Sequence, residues 1–226
     1  MIPKATIERL CIVYNLLEQI MLNGDNGTSV SHISSNRMGE IIGVPSHTIR
    51  KDVNYLEGIG QLGKGYSVKE LRNLIAEKLG LKKRKAAVIG LGKIGMAIME
   101  YESFLSAGIE IVAGFDSTNR IDTIKSKIPL FPSRDAGEII KQKGIEIAFL
   151  TSSPESAKAC FERLEAGGIK TILNFTPTYL VSDKIHIRNI DLVLESTILS
   201  AMMGLDGQKT ELLEKTQDTK NKNKNF

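Results

Sequence analysis

The sequence predicts an α/β protein: an N-terminal winged-helix domain, then a Rossmann domain with a doubly wound parallel sheet, then a C-terminal helix. Three observations carry that expectation. Two short helical segments meet at the turn Gly43-Val44-Pro45 and precede a glycine-rich stretch, the order of a helix-turn-helix followed by a hairpin. From Ala86 onward, short apolar runs alternate with helical patterns, as parallel strands covered on both faces do. The run Gly90-Leu91-Gly92-Lys93-Ile94-Gly95 is a G-x-G-x-x-G placed between the first of those strands and a helix.

The elements follow in chain order. Ile7, Leu10, Tyr14, Leu17 and Met21 have the spacing of one helix face, begun near Pro3 and Thr6 and ended by Gly24 and Gly27. Ser34 or Ser35 is placed to cap a second helix over Met38–Ile42, and Ser46 to cap a third, from His47 to Leu56. Gly58, Gly60, Gly63 and Gly65 favour the tight turns of a short hairpin, and Lys69–Leu79 reads as a further helix closed by Gly80. Strands are expected at 86–89, 109–115, 145–150 and 169–173, with helices at 94–106, 133–141 and 154–166. A strand over 184–187 and a helix over 191–203 complete the pattern. The expected division is a winged helix at 1–80, a basic linker at 81–85, a Rossmann domain at 86–190, a helix at 191–207 and a disordered tail at 208–226.

Charge separates the two parts. The 226 residues carry a net charge of +4. Residues 1–85 hold 13 Lys/Arg and 8 Asp/Glu, a net of +5, against 17 and 18 in the remainder, a net of −1. The excess points to a polyanionic partner for the N-terminal third. Cys11 and Cys160 are isolated, which supports neither a disulfide framework nor a zinc site and reads as core filling. No apolar run reaches about 18 residues and no secretory leader pattern opens the chain, so a cytoplasmic protein without a membrane span is expected.

Two constellations carry chemistry. The glycines of 90–95 permit a tight turn and close approach of backbone N–H groups to a pyrophosphate, so Gly90, Leu91, Gly92, Lys93, Ile94 and Gly95 form a dinucleotide-binding candidate. Asp116 stands where an acidic residue accepts the ribose diol and disfavours a 2′-phosphate, predicting NAD(H) rather than NADP(H); Arg120 is close by. Thr151, Ser152 and Asn174 leave later strands at the same sheet edge and are candidates for the nicotinamide half. In the helix-turn-helix, Ser46, His47, Arg50 and Lys51 open the second helix and face base edges; Arg50 suits guanine, and Lys64 at the hairpin suits a phosphate or the minor groove. His186 reads as a strand residue without catalytic context. The stretch after the last strand is too short for a substrate domain, so no catalysis is expected. The alternatives are a small NAD-dependent oxidoreductase with a winged-helix oligomerisation module, and a regulator bound to another nucleotide or a coenzyme A derivative.

Across residues 2–205 the chain resembles the Rex redox-sensing transcriptional repressors. The likeness rests on Ile2-Pro3-Lys4-Ala5-Thr6-Ile7 with Arg9-Leu10, Thr48-Ile49-Arg50-Lys51-Asp52 and Gly63-Lys64-Gly65-Tyr66. It continues through the glycine motif, Phe115-Asp116, Gly167-Gly168-Ile169-Lys170 and Ile172-Leu173-Asn174-Phe175-Thr176-Pro177. The resemblance implies a homodimer that swaps its C-terminal helix, binds operator DNA and is released by NADH. It also implies that Tyr101 lies at the cofactor and joins Asp191 in a switch network. The network's usual arginine falls at Asn15, the usual wing arginine at Leu62, and the Tyr-Phe-Gly after the recognition helix is Tyr55-Leu56-Glu57. These departures imply altered switching or operator contact.

Overall fold

Residues 2–23, 31–57 and 65–205 are described by a computed structural model, which divides into two units. One comprises Met1–Lys83 with Ser103–Ile109, the other Arg84–Glu102 with Glu110–Phe226.

The first unit begins with α1 (Lys4–Asn23). Its inner face is Thr6, Leu10, Val13 and Leu17, all buried. The spacing expected from sequence is therefore rotated: Ile7 and Met21 lie outside, 39% and 49% exposed. A two-residue strand, β1 (His32–Ile33), precedes α2 (Ser35–Ile42), whose first turn is capped by the Ser34 hydroxyl accepting from the Arg37 N–H at 3.1 Å. Gly43 then adopts φ 74°, a left-handed conformation that ends α2 and aims the chain into α3 (Ser46–Asn54). The N-cap of α3 is Pro45, without a side-chain bond; Ser46 is the first helical residue rather than the cap.

Next, β2 (Tyr66–Ser67) pairs antiparallel with β1, Ile33 opposite Tyr66, and α4 (Val68–Lys78) follows. The pairing with β1 was not readable in the sequence. The expected hairpin tip, including Leu62 and Lys64, lies outside the described residues, as do Gly24, Gly27 and the tail from 206. Leu10, Leu17, Met38, Ile49, Leu56, Leu71 and Ile75 form the buried core. Arg72 braces α4 against α1 through an ion pair with Glu18 and a cation–π contact 5.2 Å from the Tyr14 ring centroid.

The second unit is a six-stranded sheet. Its elements in chain order are β3 (Arg84–Ile89), α5 (Lys93–Met99), α6 (Ser103–Ser106), β4 (Ile109–Asp116), α7 (Thr118–Ile121), β5 (Leu130–Pro132), α8 (Ala136–Lys143), β6 (Ile147–Leu150), α9 (Pro154–Ala166), β7 (Thr171–Asn174) and β8 (His186–Asn189). The helix α6 is grouped with the first unit. The strand order is β5-β4-β3-β6-β7-β8, the doubly wound arrangement whose order reverses between β3 and β6. Those two central strands pair in parallel, Ala86 opposite Ile147 and Ile89 opposite Leu150, and are buried on both faces.

Three sequence expectations change here. The basic run is not all linker, because β3 begins at Arg84, which ion-pairs with Glu146 at 2.8 Å. The single helix expected over 94–106 is two, interrupted at 100–102. A three-residue strand, β5, closes one edge of the sheet and was not anticipated. After β8, residues 192–205 form a helix, α10, exposed along its whole length. No described helix is long and apolar enough to cross a membrane.

Candidate functional sites

The first candidate site is the outer face of α3. Ile49, Asp52, Val53 and Leu56 turn inward, so His47, Lys51, Asn54 and Tyr55 share the outward stripe. All four are exposed. Asn54 and Tyr55 were not among the residues picked from sequence, although their i+7 and i+8 spacing from His47 places them beside Lys51. Arg50 is only partly exposed. Its Nη1 donates to the Ser35 hydroxyl at 3.1 Å and to the Ser46 hydroxyl at 3.2 Å, which ties α3 to the start of α2. Ser46 is half-buried and accepts from Arg50, which leaves its own O–H free to donate.

Behind the stripe lies a network for which the sequence assigned no role. Asp52 is 3% exposed on α3. Its Oδ2 accepts from Arg9 Nε at 2.6 Å, and its Oδ1 accepts from Arg9 Nη2 at 2.8 Å and from the Thr6 hydroxyl at 2.9 Å. The pair is bidentate, the geometry in which a guanidinium best satisfies a carboxylate. The hydrogen bond to Asp52 also pushes the Arg9 pKa above its ordinary value. A cleft of about 630 Å³ opens beside the network, with Thr6, Arg9, Lys51 and Tyr55 among its walls. Asp52 thus ties α3 to α1 behind the stripe.

The second candidate site is the edge where β3, β4 and β6 end. Gly90 has φ 95°, and a Cβ there would lie 2.5 Å from the Ser152 backbone nitrogen. At Gly95 a Cβ would lie 2.0 Å from the Gly90 carbonyl oxygen. Both positions need glycine for close backbone packing. Gly92 differs: nothing lies within 4 Å of the corresponding point, so the loop is open there. The packed glycines and the open middle one fit a pyrophosphate approached by backbone N–H groups. Lys93 and Ile94 are exposed beside that opening, whereas Leu91 is fully buried and anchors the loop.

The supporting side chains divide by task. Asp116 Oδ2 accepts from the Leu91 N–H and its Oδ1 from the Ser117 N–H, both at 2.6 Å. Arg120 donates to the Leu91 carbonyl, with Nη2 at 2.9 Å. The Thr151 hydroxyl lies 2.6 Å from the Gly90 carbonyl and 3.1 Å from that of Ile89, so it locks the glycine turn. Ser152 is half-buried next to Gly90. Below it, burial pushes the Cys160 thiol pKa up, partly offset by its hydrogen bond to Ser152.

Asn174, a candidate cofactor contact, is held by hydrogen bonds from within the protein. It is 0% exposed. Its Nδ2 donates to the Thr178 carbonyl and to Asn189 Oδ1, both at 2.8 Å, while its Oδ1 accepts from the Thr176 N–H and hydroxyl. It closes the loop between β7 and β8. Tyr101 lies in the break between α5 and α6, 60% exposed. Asp191 Oδ1 accepts from the N–H groups of Val193 and Leu194, at 2.9 and 3.1 Å, and so caps α10.

Comparison with known proteins covers nearly the whole chain. Residues 1–54 match the family model described as putative DNA-binding protein N-terminus, and residues 81–178 match the CoA binding domain. The redox-sensing transcriptional repressor Rex of Listeria welshimeri is 31% identical over 213 residues, 93% of this chain and 97% of that protein. Its namesake from Limosilactobacillus fermentum is 35% identical over 197 residues, 86% and 89% of the two chains. Among solved structures, RSP in complex with NAD⁺ and operator DNA superposes with a TM-score of 0.81 at 31% identity, covering 94% of this chain and 97% of that one. RSP in complex with NADH gives 0.79 at 30% identity, covering 94% and 99%.

Proposed function

The chain belongs to the Rex family of redox-sensing transcriptional repressors, and from that premise we propose how its own residues divide the work. The outer stripe of α3 enters the major groove of operator DNA. His47 and Lys51 lead, Asn54 and Tyr55 flank them, and Arg50 contributes from its bracket between Ser35 and Ser46. Lys64, outside the described residues, meets a phosphate or the minor groove. The glycine loop at 90–95 takes the pyrophosphate of NAD(H), with Asp116 receiving the adenosine ribose and Thr151 and Ser152 bordering the nicotinamide half. The nucleotide is a regulatory ligand and not a cosubstrate. The protein works in the cytoplasm, where chromosomal DNA and the nicotinamide pool are both at hand.

The observation that carries this reading is full-length likeness to a repressor solved both with NAD⁺ and operator DNA and with NADH. NADH favours a state that grips DNA poorly, so by linkage each ligand weakens the other. A coupling of about 1–3 kcal/mol corresponds to a roughly 5- to 150-fold loss of operator affinity. Operator binding titrated with NADH, NAD⁺ and coenzyme A at a fixed salt concentration tests it. Release by NADH is the expected result. Release by coenzyme A alone, the ligand class that the second family model names, overturns the nicotinamide assignment.

A further inference from the structure

We propose that Arg120 is a dormant receptor for an adenosine 2′-phosphate, held silent by the Asp116 carboxylate beside it. The inference rests on the dinucleotide reading of the 90–95 loop and adds the pair that sets ligand choice. In dinucleotide folds the acid at this strand end takes the ribose 2′-hydroxyl, whereas a nearby arginine accommodates a 2′-phosphate. This chain holds both, four residues apart.

The geometry makes the arginine ready. Arg120 Nε lies 3.4 Å from Asp116 Oδ2, and the side chain is 52% exposed. The Leu91 carbonyl fixes it, 2.9 Å from Nη2 and 3.3 Å from Nε. The guanidinium is therefore held at the rim of the glycine loop by the Leu91 carbonyl as well as by Asp116. A planar fork fixed in that way suits phosphate oxygens.

The geometry also makes the carboxylate a firm block. Its two oxygens accept the Leu91 and Ser117 N–H groups at 2.6 Å, which holds it at the strand end. A 2′-phosphate brought to Arg120 would meet a fixed like charge. Asparagine at 116 would keep an acceptor for the Leu91 N–H and remove that charge.

The test is direct binding of NADH and NADPH to the full chain by calorimetry, for wild type, Asp116→Asn, Asp116→Ser and Asp116→Asn/Arg120→Ala. Wild type should bind NADH and reject NADPH. Either single variant should gain NADPH affinity by roughly 10- to 100-fold, the range of one hydrogen bond to a charged group, and the double variant should lose that gain. Wild type that binds NADH, with no gain of NADPH in either single variant, overturns the inference alone. A gain that survives loss of Arg120 overturns it as well. Wild type that binds no NADH overturns the dinucleotide reading itself, and the inference with it.

Discussion

Removing Arg9 leaves Asp52 buried with Thr6 as its remaining side-chain partner among the described residues. Breaking a buried pair on one side typically costs about 3–5 kcal/mol, because the stranded charge keeps its desolvation penalty. Arg9→Met is therefore expected to destabilise the N-terminal unit by about 3 kcal/mol, read as a lower urea midpoint for that unit's transition. An unchanged midpoint would remove Asp52 as the brace of α3. The placement was legible in retrospect: Ile49, Asp52, Val53 and Leu56 keep the i, i+3, i+4, i+7 spacing, so an acid stands on the apolar face. Asn174 was not legible, because its burial depends on Asn189, fifteen residues away on the neighbouring strand. Cys160 gives a pH expectation. Burial raises its folded-state pKa, so the stabilisation from keeping the thiol neutral is present below the ordinary thiol pKa and is lost as pH rises toward the folded value. The melting temperature should stay level through neutrality and fall above about pH 9, and Cys160→Ala should flatten part of that fall.

At the scale of elements, the glycine turn separates fold from ligand. Gly95→Ala forces a carbon onto the Gly90 carbonyl and should lower the melting temperature. Gly92→Val projects into open space and should keep the wild-type melting temperature while losing NADH binding by fluorescence titration. Equal melting losses in both variants would mean that the open middle glycine is structural too. This turn was readable from sequence because each glycine answers a constraint local to one loop. The short strands β1 and β5 were not, since two or three residues become a strand only through a partner far along the chain. The inner face of α1 was misplaced for a related reason. Ile7 and Met21 are apolar yet exposed, and the packing of α4, not periodicity, decides which stripe turns inward. On α3, Lys51→Ala should weaken operator binding across all sequences and lower the magnitude of the salt slope by about 1 if Lys51 meets a phosphate. Loss of discrimination at a single base pair with an unchanged slope would make it a base reader instead.

For the whole molecule, α10 poses the plainest demand. Leu192, Val193, Leu194, Ile198, Leu199 and Met203 are all more than 40% exposed on one helix. A helix that exposes this much apolar side chain is normally covered, and a second copy of the chain is the cover we propose for it. Leu199→Glu is expected to leave the far-ultraviolet spectrum unchanged, convert the dimer to a monomer by light scattering and weaken operator binding, since paired half-sites reward paired readers. A dimer that survives the substitution would place the contact elsewhere.

The separation of the two cores also has a consequence in time. The first core draws on residues from Leu10 to Ile75, the second on residues from Ala87 to Ile185, and the two clusters share no described residue. During synthesis, the first can therefore close about 110 residues before the second, on the order of 5–20 s at ordinary translation rates. For that interval a nascent chain carries the core of its DNA reader and no sensor. With α10 as the proposed pairing helix, the segment that joins two readers emerges after the residues of both cores. The order of the message thus withholds a firm grip on DNA until the part that answers to NADH has folded.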